Sequence, residues 1–351
     1  MSKSWAGNYF EDFVVGQEIR HATPRTVTTG DVSFNIALHG SRFALQSSDE
    51  FARSCGLPAA PIDDLLTLHI ILGKTVPDIS LNAVANLGYA DLRFLRPVFP
   101  GDTLTAESRV IGLKENSNRQ SGIVYVRSVG RNQRGEPVVE FYRWVMVRKR
   151  DAAAPVADAV VPDLPDHVAP DALVVPEGLD FSRYDAAAAG SPHFWEDYVP
   201  GEKIDHVDGY TVEAAEHMMA TRLYQNTARV HFNLHVEREG RLGERIVYGG
   251  HIISLARALS FNGLGNAQVI AAINGGRHVN PTLAGDTIYA WSEVLDKAEI
   301  PGRKDVGALR LRLVGVKNMA AAEFPFKDGE GRYLPLVTLD LDYWALLPRR
   351  V

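Results

Sequence analysis

Imidazole is the side chain best suited to moving protons near neutral pH, and four of the eleven histidines crowd one stretch: His217, His231, His235 and His251. His231 and His235 stand four apart, a spacing that puts two metal ligands on one helical face. No third ligand follows at a convincing spacing, so proton transfer is expected here and a metal centre is not. Glu216, the nearest carboxylate upstream, reads as a residue of a helix start. Elsewhere, Asp63 and Asp64 precede a long apolar run, where acids favour a helix N-terminus. Arg93 and Arg96 are able to meet a phosphate or carboxylate. The pair Gly249-Gly250 opens a second apolar run. No phosphate-binding loop and no glycine fingerprint of a dinucleotide site occurs.

The chain says nearly the same thing twice, which decides how these groups are weighed. Phe10-Glu11-Asp12-Phe13-Val14-Val15-Gly16-Gln17-Glu18-Ile19 returns 185 positions later as Trp195-Glu196-Asp197-Tyr198-Val199-Pro200-Gly201-Glu202-Lys203-Ile204. Pro97-Val98-Phe99-Pro100-Gly101-Asp102-Thr103 returns 184 positions later as Pro281-Thr282-Leu283-Ala284-Gly285-Asp286-Thr287. A repeat of that length is a whole domain. Gln46 falls opposite His231 and Ser41 opposite Asn226, and neither exchanges a proton easily near neutral pH. One live site per chain is therefore expected, in the second copy.

With 351 residues, 46% of them apolar, each half can bury an ordinary core. A net charge of −6 argues against nucleic acid as a partner. Cys55 stands alone, the N-terminal residues lack the apolar stretch of a signal peptide, and no apolar run reaches membrane-spanning length. A cytoplasmic protein that neither crosses nor binds a membrane is expected, with self-association into a homo-oligomer left open. Residues 151–192, rich in Ala and Pro, read as an extended connector. The domains are accordingly 1–150 and 193–351.

Ile62–Gly73 is apolar on nearly all sides, starts with acids and stops at glycine, which predicts a helix buried all round. Gly250–Phe261 is its counterpart. Strands rich in β-branched residues are predicted at 92–95, 103–113, 122–129 and 138–148, and in the second half at 308–316 and 334–344, the last entered by a turn at Lys327-Asp328-Gly329. A buried helix followed by a meander of long strands predicts an α+β fold in which an antiparallel sheet wraps the helix.

A duplicated wrapped helix with the Pro-x3-Gly-Asp-Thr turn resembles the hotdog fold of the MaoC-like dehydratases, here as a tandem double hotdog. The string from Gly73 to Asp91, with Gly112-Leu113-Lys114-Glu115-Asn116-Ser117-Asn118, is similar to the mesaconyl-CoA (2-methylfumaryl-CoA) hydratases in particular. The resemblance implies a hydro-lyase that adds water to mesaconyl-CoA to give β-methylmalyl-CoA, with acyl-CoA as substrate and no separate cofactor. Relatives carry Asp-x-Asn-Pro-x-His, in which Asp and His hold one water and share its proton chemistry. Asn226-Thr227-Ala228-Arg229-Val230-His231 keeps the histidine, but Asn226 replaces the acid and supplies no base. His231 and Asn226 are the catalytic candidates; His231 is favoured to carry both proton transfers, with Glu216 in place of the acid, or help from the substrate's own carboxylate, as the alternatives. For the thioester the family pattern points to Pro61, Ile62, Asp63 and Asp64, to Asn86, Leu87, Gly88 and Tyr89, and to Arg96, Pro97 and Val98. The fold also leaves an acyl-CoA thioesterase and a non-catalytic acyl-CoA-binding subunit open.

Overall fold

The computed structural model describes residues 3–350. Its strands are β1 (Glu18–Thr26), β2 (Ala83–Phe94), β3 (Thr103–Glu115), β4 (Ser121–Arg131), β5 (Pro137–Arg148), β6 (Lys203–Thr211), β7 (Val269–His278), β8 (Thr287–Glu299), β9 (Val306–Lys317) and β10 (Val337–Pro348). They form one sheet in the order β1-β3-β4-β5-β2-β7-β10-β9-β8-β6. From the centre outward the same order is met on both sides, so each half is a five-stranded sheet of its own. The halves join where β2 pairs antiparallel with β7, Leu92 opposite Ile273. This is the tandem double hotdog.

Each sheet wraps one long helix, Asp64–Thr75 in the first half and Gly249–Leu259 in the second. Every residue from Leu65 to Thr75 is buried, which explains a sequence with no polar face. The wrapping strands alternate: Val139, Phe141, Arg143, Val145 and Val147 of β5 are buried, with partly exposed residues between them. One apolar core runs through both halves, holding Leu68 and Ile71 together with Ile252 and Leu255. The two copies are thus fused along a sheet edge and through their cores.

The repeat is kept at the level of single bonds. Asp102 accepts the Phe99 N–H at 3.0 Å, and Asp286 accepts the Leu283 N–H at 2.9 Å. The glycine before each aspartate is left-handed, with φ of 99° and 93°. Residues 151–192 are more tightly held than an extended connector need be. Val168, Leu179 and Phe181 are buried against Ala271, Trp344 and Leu346, and the Trp344 indole donates to the Val168 carbonyl at 3.0 Å. The turn expected at Lys327–Gly329 closes further on, because the Asp328 carboxylate accepts the Glu330 and Arg332 N–H groups. Gly331 takes the left-handed position there, and β10 starts only at Val337. No helix among the described residues is long and apolar enough to cross a membrane.

Candidate active site

Local chemistry at Asn226 sets the position of His231. The Asn226 side-chain oxygen accepts the Ala228 N–H at 2.9 Å, a turn typical of Asn, and a short 3-10 turn, Arg229–His231, follows. This segment lies against the first central helix at Gly73, where a Cβ would stand 2.0 Å from the Tyr224 carbonyl oxygen. The second copy's candidate site is thereby built partly on the first copy.

His231 is held by a hydrogen bond from Nδ1 to the Ile246 carbonyl at 2.9 Å. A carbonyl only accepts, so Nδ1 carries the proton and Nε2 presents its lone pair. Burial pushes the His231 pKa down to about 4, against the raising effect of the Ile246 bond. The imidazole is therefore neutral at pH 7, with Nε2 open to accept a proton, and burial makes it a weaker base than a free imidazole. Its ring meets Tyr248 edge-on at 5.4 Å between centroids.

Tyr248 precedes the second central helix, and no side chain caps that helix. The Gly249 and Gly250 N–H groups have no hydrogen-bond partner among the described residues; the first N–H bonded back is that of His251, to the Tyr248 carbonyl at 2.9 Å. Neighbouring rings demand glycine at both positions. A Cβ on Gly249 would stand 2.3 Å from the His278 ring, and one on Gly250 would stand 2.4 Å from Tyr248. His278, at the end of β7, is pushed down to about 4 by burial, then by nearby His231. It stands edge-on to Tyr89 of β2, with 6.2 Å between centroids. Asn86, three residues before Tyr89, has a buried side-chain amide beside the Tyr89 hydroxyl. A neutral imidazole nitrogen and two open backbone donors thus come together at the start of the second central helix. Together they can activate water and stabilise negative charge on a carbonyl oxygen.

The equivalent place in the first copy is closed. Asp63 caps its central helix by accepting the Leu65 N–H at 2.8 Å. Asp64, 185 positions before Gly249, puts a carboxylate where the second copy leaves its donors open, and it accepts the Ile270 N–H at 2.9 Å. Burial, then the Asp63 charge, pushes the Asp64 pKa up to about 8. Gln46 donates to the Gln268 carbonyl at 2.9 Å and offers no base.

Two further pairs mark the axis between the copies. His69 meets Ser254 at 3.1 Å and His39 meets Tyr224 at 3.3 Å, each pair 185 positions apart. Glu216 accepts from the Tyr210 hydroxyl at 2.7 Å and caps its own helix, so it does not replace the missing acid. His235 is exposed on the short helix Leu234–Glu237. Among the described residues no three His, Cys, Asp or Glu side chains come together as a metal-binding group.

Residues 2–325 match the family model described as mesaconyl-CoA hydratase. The chain belongs to this family. It is 64% identical over 349 residues, 99% of each chain, to the β-methylmalyl-CoA dehydratase of Chloroflexus aurantiacus. It is 62% identical to the mesaconyl-CoA hydratase of Cereibacter sphaeroides, covering 99% of this chain and 100% of that one. A MaoC domain dehydratase structure from Chloroflexus aurantiacus superposes with a TM-score of 0.98, at 64% identity and full coverage of both chains.

In this mesaconyl-CoA hydratase family member, the residues expected to hold the thioester divide into two groups. Asn86, Leu87, Gly88 and Tyr89 lie on β2, where Tyr89 meets the His278 ring. Pro61, Ile62, Asp63, Asp64, Arg96, Pro97 and Val98 surround the start of the first central helix instead, where the Ile62 N–H donates to the Val98 carbonyl. Pro61, Asp64, Arg96 and Pro97 line a narrow cleft there with Gln46. They adjoin the closed copy because each central helix meets His231 or Gln46 at its own N-terminus. Tyr248, Gly249, Gly250 and His278 were not all legible as site residues. Gly249-Gly250 carried a visible signal, whereas His278 is brought in by long-range strand pairing.

Proposed function

We propose that this chain is a hydro-lyase interconverting mesaconyl-CoA and water with β-methylmalyl-CoA, at one site per chain in the second copy. The observation that carries this reading is the His231 imidazole, neutral and fixed by Ile246, beside the uncapped glycine start of the second central helix. In the hydration direction, Nε2 takes a proton from water as the water oxygen bonds to C3, the β-carbon. The alkene electron pair moves through C2 to the thioester oxygen, which the Gly249 and Gly250 N–H groups and the positive helix end stabilise. The imidazolium then returns the proton to C2. Dehydration is the same path reversed. The Asn226 amide orients the water and takes no proton. CoA enters as part of the substrate, the reaction uses no other cofactor, and the enzyme works in the cytoplasm.

The test is to mix the pure protein with mesaconyl-CoA and follow both the enoyl absorbance and free thiol. Loss of absorbance without thiol release is the expected result. Thiol release would instead mark a thioesterase, and no change in either would mark a binding subunit.

A further inference from the structure

Arg143 lies on β5 and is only 2% exposed. Its Nη2 donates to the Thr75 hydroxyl at 3.0 Å, at the C-terminal end of the first central helix, and its Nε has no partner. No carboxylate forms an ion pair with it among the described residues. Tyr89 stands directly opposite it on β2. The Tyr89 and Tyr248 hydroxyls are near enough to feel its charge. Tyr248 touches His231, and Tyr89 touches His278. These two tyrosines thus link the surroundings of the guanidinium to the imidazoles of the site.

A buried cation without a counterion is costly, and such groups are normally paired. The first copy shows how this chain meets that cost. There the buried Arg257, delivered from the second central helix, sits near Asp63 and Asp64. Each helix start thus faces one buried guanidinium supplied by the other half. In the closed copy the Asp63 and Asp64 carboxylates are near enough to feel its charge, without a direct ion pair, and its guanidinium donates to the Ser260 hydroxyl and the Ala267 carbonyl. In the live copy their places fall to Tyr248 and Gly249, and nothing answers Arg143.

We propose that Arg143 is the specificity-determining residue of the site, and that the anion it awaits is the carboxylate on the far side of the substrate's double bond. This inference rests on the hydratase reading and adds to it the group that selects a dicarboxylic acyl chain. In mesaconyl-CoA that carboxylate is attached to C3, the carbon that receives the hydroxyl, so the guanidinium also orients C3 toward His231. Arg is suited to the task because its planar fork matches a carboxylate with two parallel hydrogen bonds.

The experiment uses two unreactive four-carbon probes, succinyl-CoA and butyryl-CoA, which differ in a terminal carboxylate against a methyl. Dissociation constants are measured for the wild type, Arg143→Met and Arg143→Lys, with thermal midpoints as a check of folding. The wild type should prefer succinyl-CoA by about 10–100-fold, the scale of a charge-assisted pair. Arg143→Met should abolish that preference, and Arg143→Lys should keep part of it. A folded Arg143→Met with the wild-type preference overturns the proposal. So does a wild type that prefers butyryl-CoA, which decides the matter even if the variants fail to fold. Hydration of mesaconyl-CoA by the wild type is measured separately. Its absence, with an Arg143-dependent preference intact, would remove the hydratase reading and leave the carboxylate pocket standing.

Discussion

Gly249→Ala adds one methyl at the start of the second central helix, and its effect follows from where that methyl lands. The Cβ would stand 2.3–2.6 Å from three atoms of the His278 ring. Real contacts of this kind begin above about 3 Å, so either the ring or the helix start must give way. The ring also meets Tyr89 edge-on, so its movement is carried to a second residue of the site. Replacing Gly by Ala in a helix is favourable by about 1 kcal/mol, and overpacking of a filled site costs about 1–3 kcal/mol. The net cost is about 0–2 kcal/mol, so the protein should stay folded with a midpoint equal to or somewhat below that of the wild type. Catalysis has no such compensation. Misplacing one oxyanion donor lowers kcat by about 10²–10³-fold. The assay is the initial rate of enoyl absorbance change with mesaconyl-CoA, beside a thermal melt. A folded Gly249→Ala with more than half the wild-type kcat would refute the role given to this helix start.

Asn226→Asp introduces a charge beside a substrate that already carries a carboxylate. Like charges 4 Å apart repel by about 4 kcal/mol at an effective dielectric of 20. The ratio of kcat/KM for mesaconyl-CoA to that for crotonyl-CoA should therefore fall, and a rise would show that the site wants an ordinary acid–histidine pair. Acid should also weaken the fold. His39, His206 and His217 are held down to about 4 and His69 to about 3, each chiefly by burial. Below pH 6.5 the unfolded chain takes up protons that the folded one refuses, so stability is lost as pH falls from 6.5 toward 4. The loss is about 1.4 kcal/mol per histidine per pH unit. Asp63, Asp64 and Asp91, whose carboxyls burial pushes up, act in the opposite sense, but the lowered histidines, His231 and His278 among them, outnumber them. Denaturant midpoints at pH 7.5 and 5.5 test this, and an equal or higher midpoint at 5.5 contradicts it.

What was legible in the sequence is what repeats or alternates locally. The 185-residue offset gave the duplication, the all-apolar run after Asp64 gave the first central helix, and the same offset singled out His231 against Gln46. The rest depends on contacts between distant residues. β2 and β7 join the halves through residues 179 to 185 positions apart, and no local pattern marks an edge that will be paired. Arg143 looks like any strand residue until the fold buries it beside Tyr89 and Thr75. Asp63 and Asp64 looked like ligands of the substrate, and their types suit a helix start. What only the fold adds is that Asp63 caps the first central helix while Asp64 accepts the Ile270 N–H of β7.

The claim of one live site, worked by His231, is tested most directly by two substitutions at repeat-equivalent positions in the same assay. His231→Ala should lower kcat for mesaconyl-CoA by about 10²–10⁴-fold while the protein remains folded, the usual size of a lost acid–base group. Gln46→Ala, in the closed copy, should turn over at the wild-type rate. Near-normal turnover by a folded His231→Ala, or a matching loss in Gln46→Ala, would contradict the account.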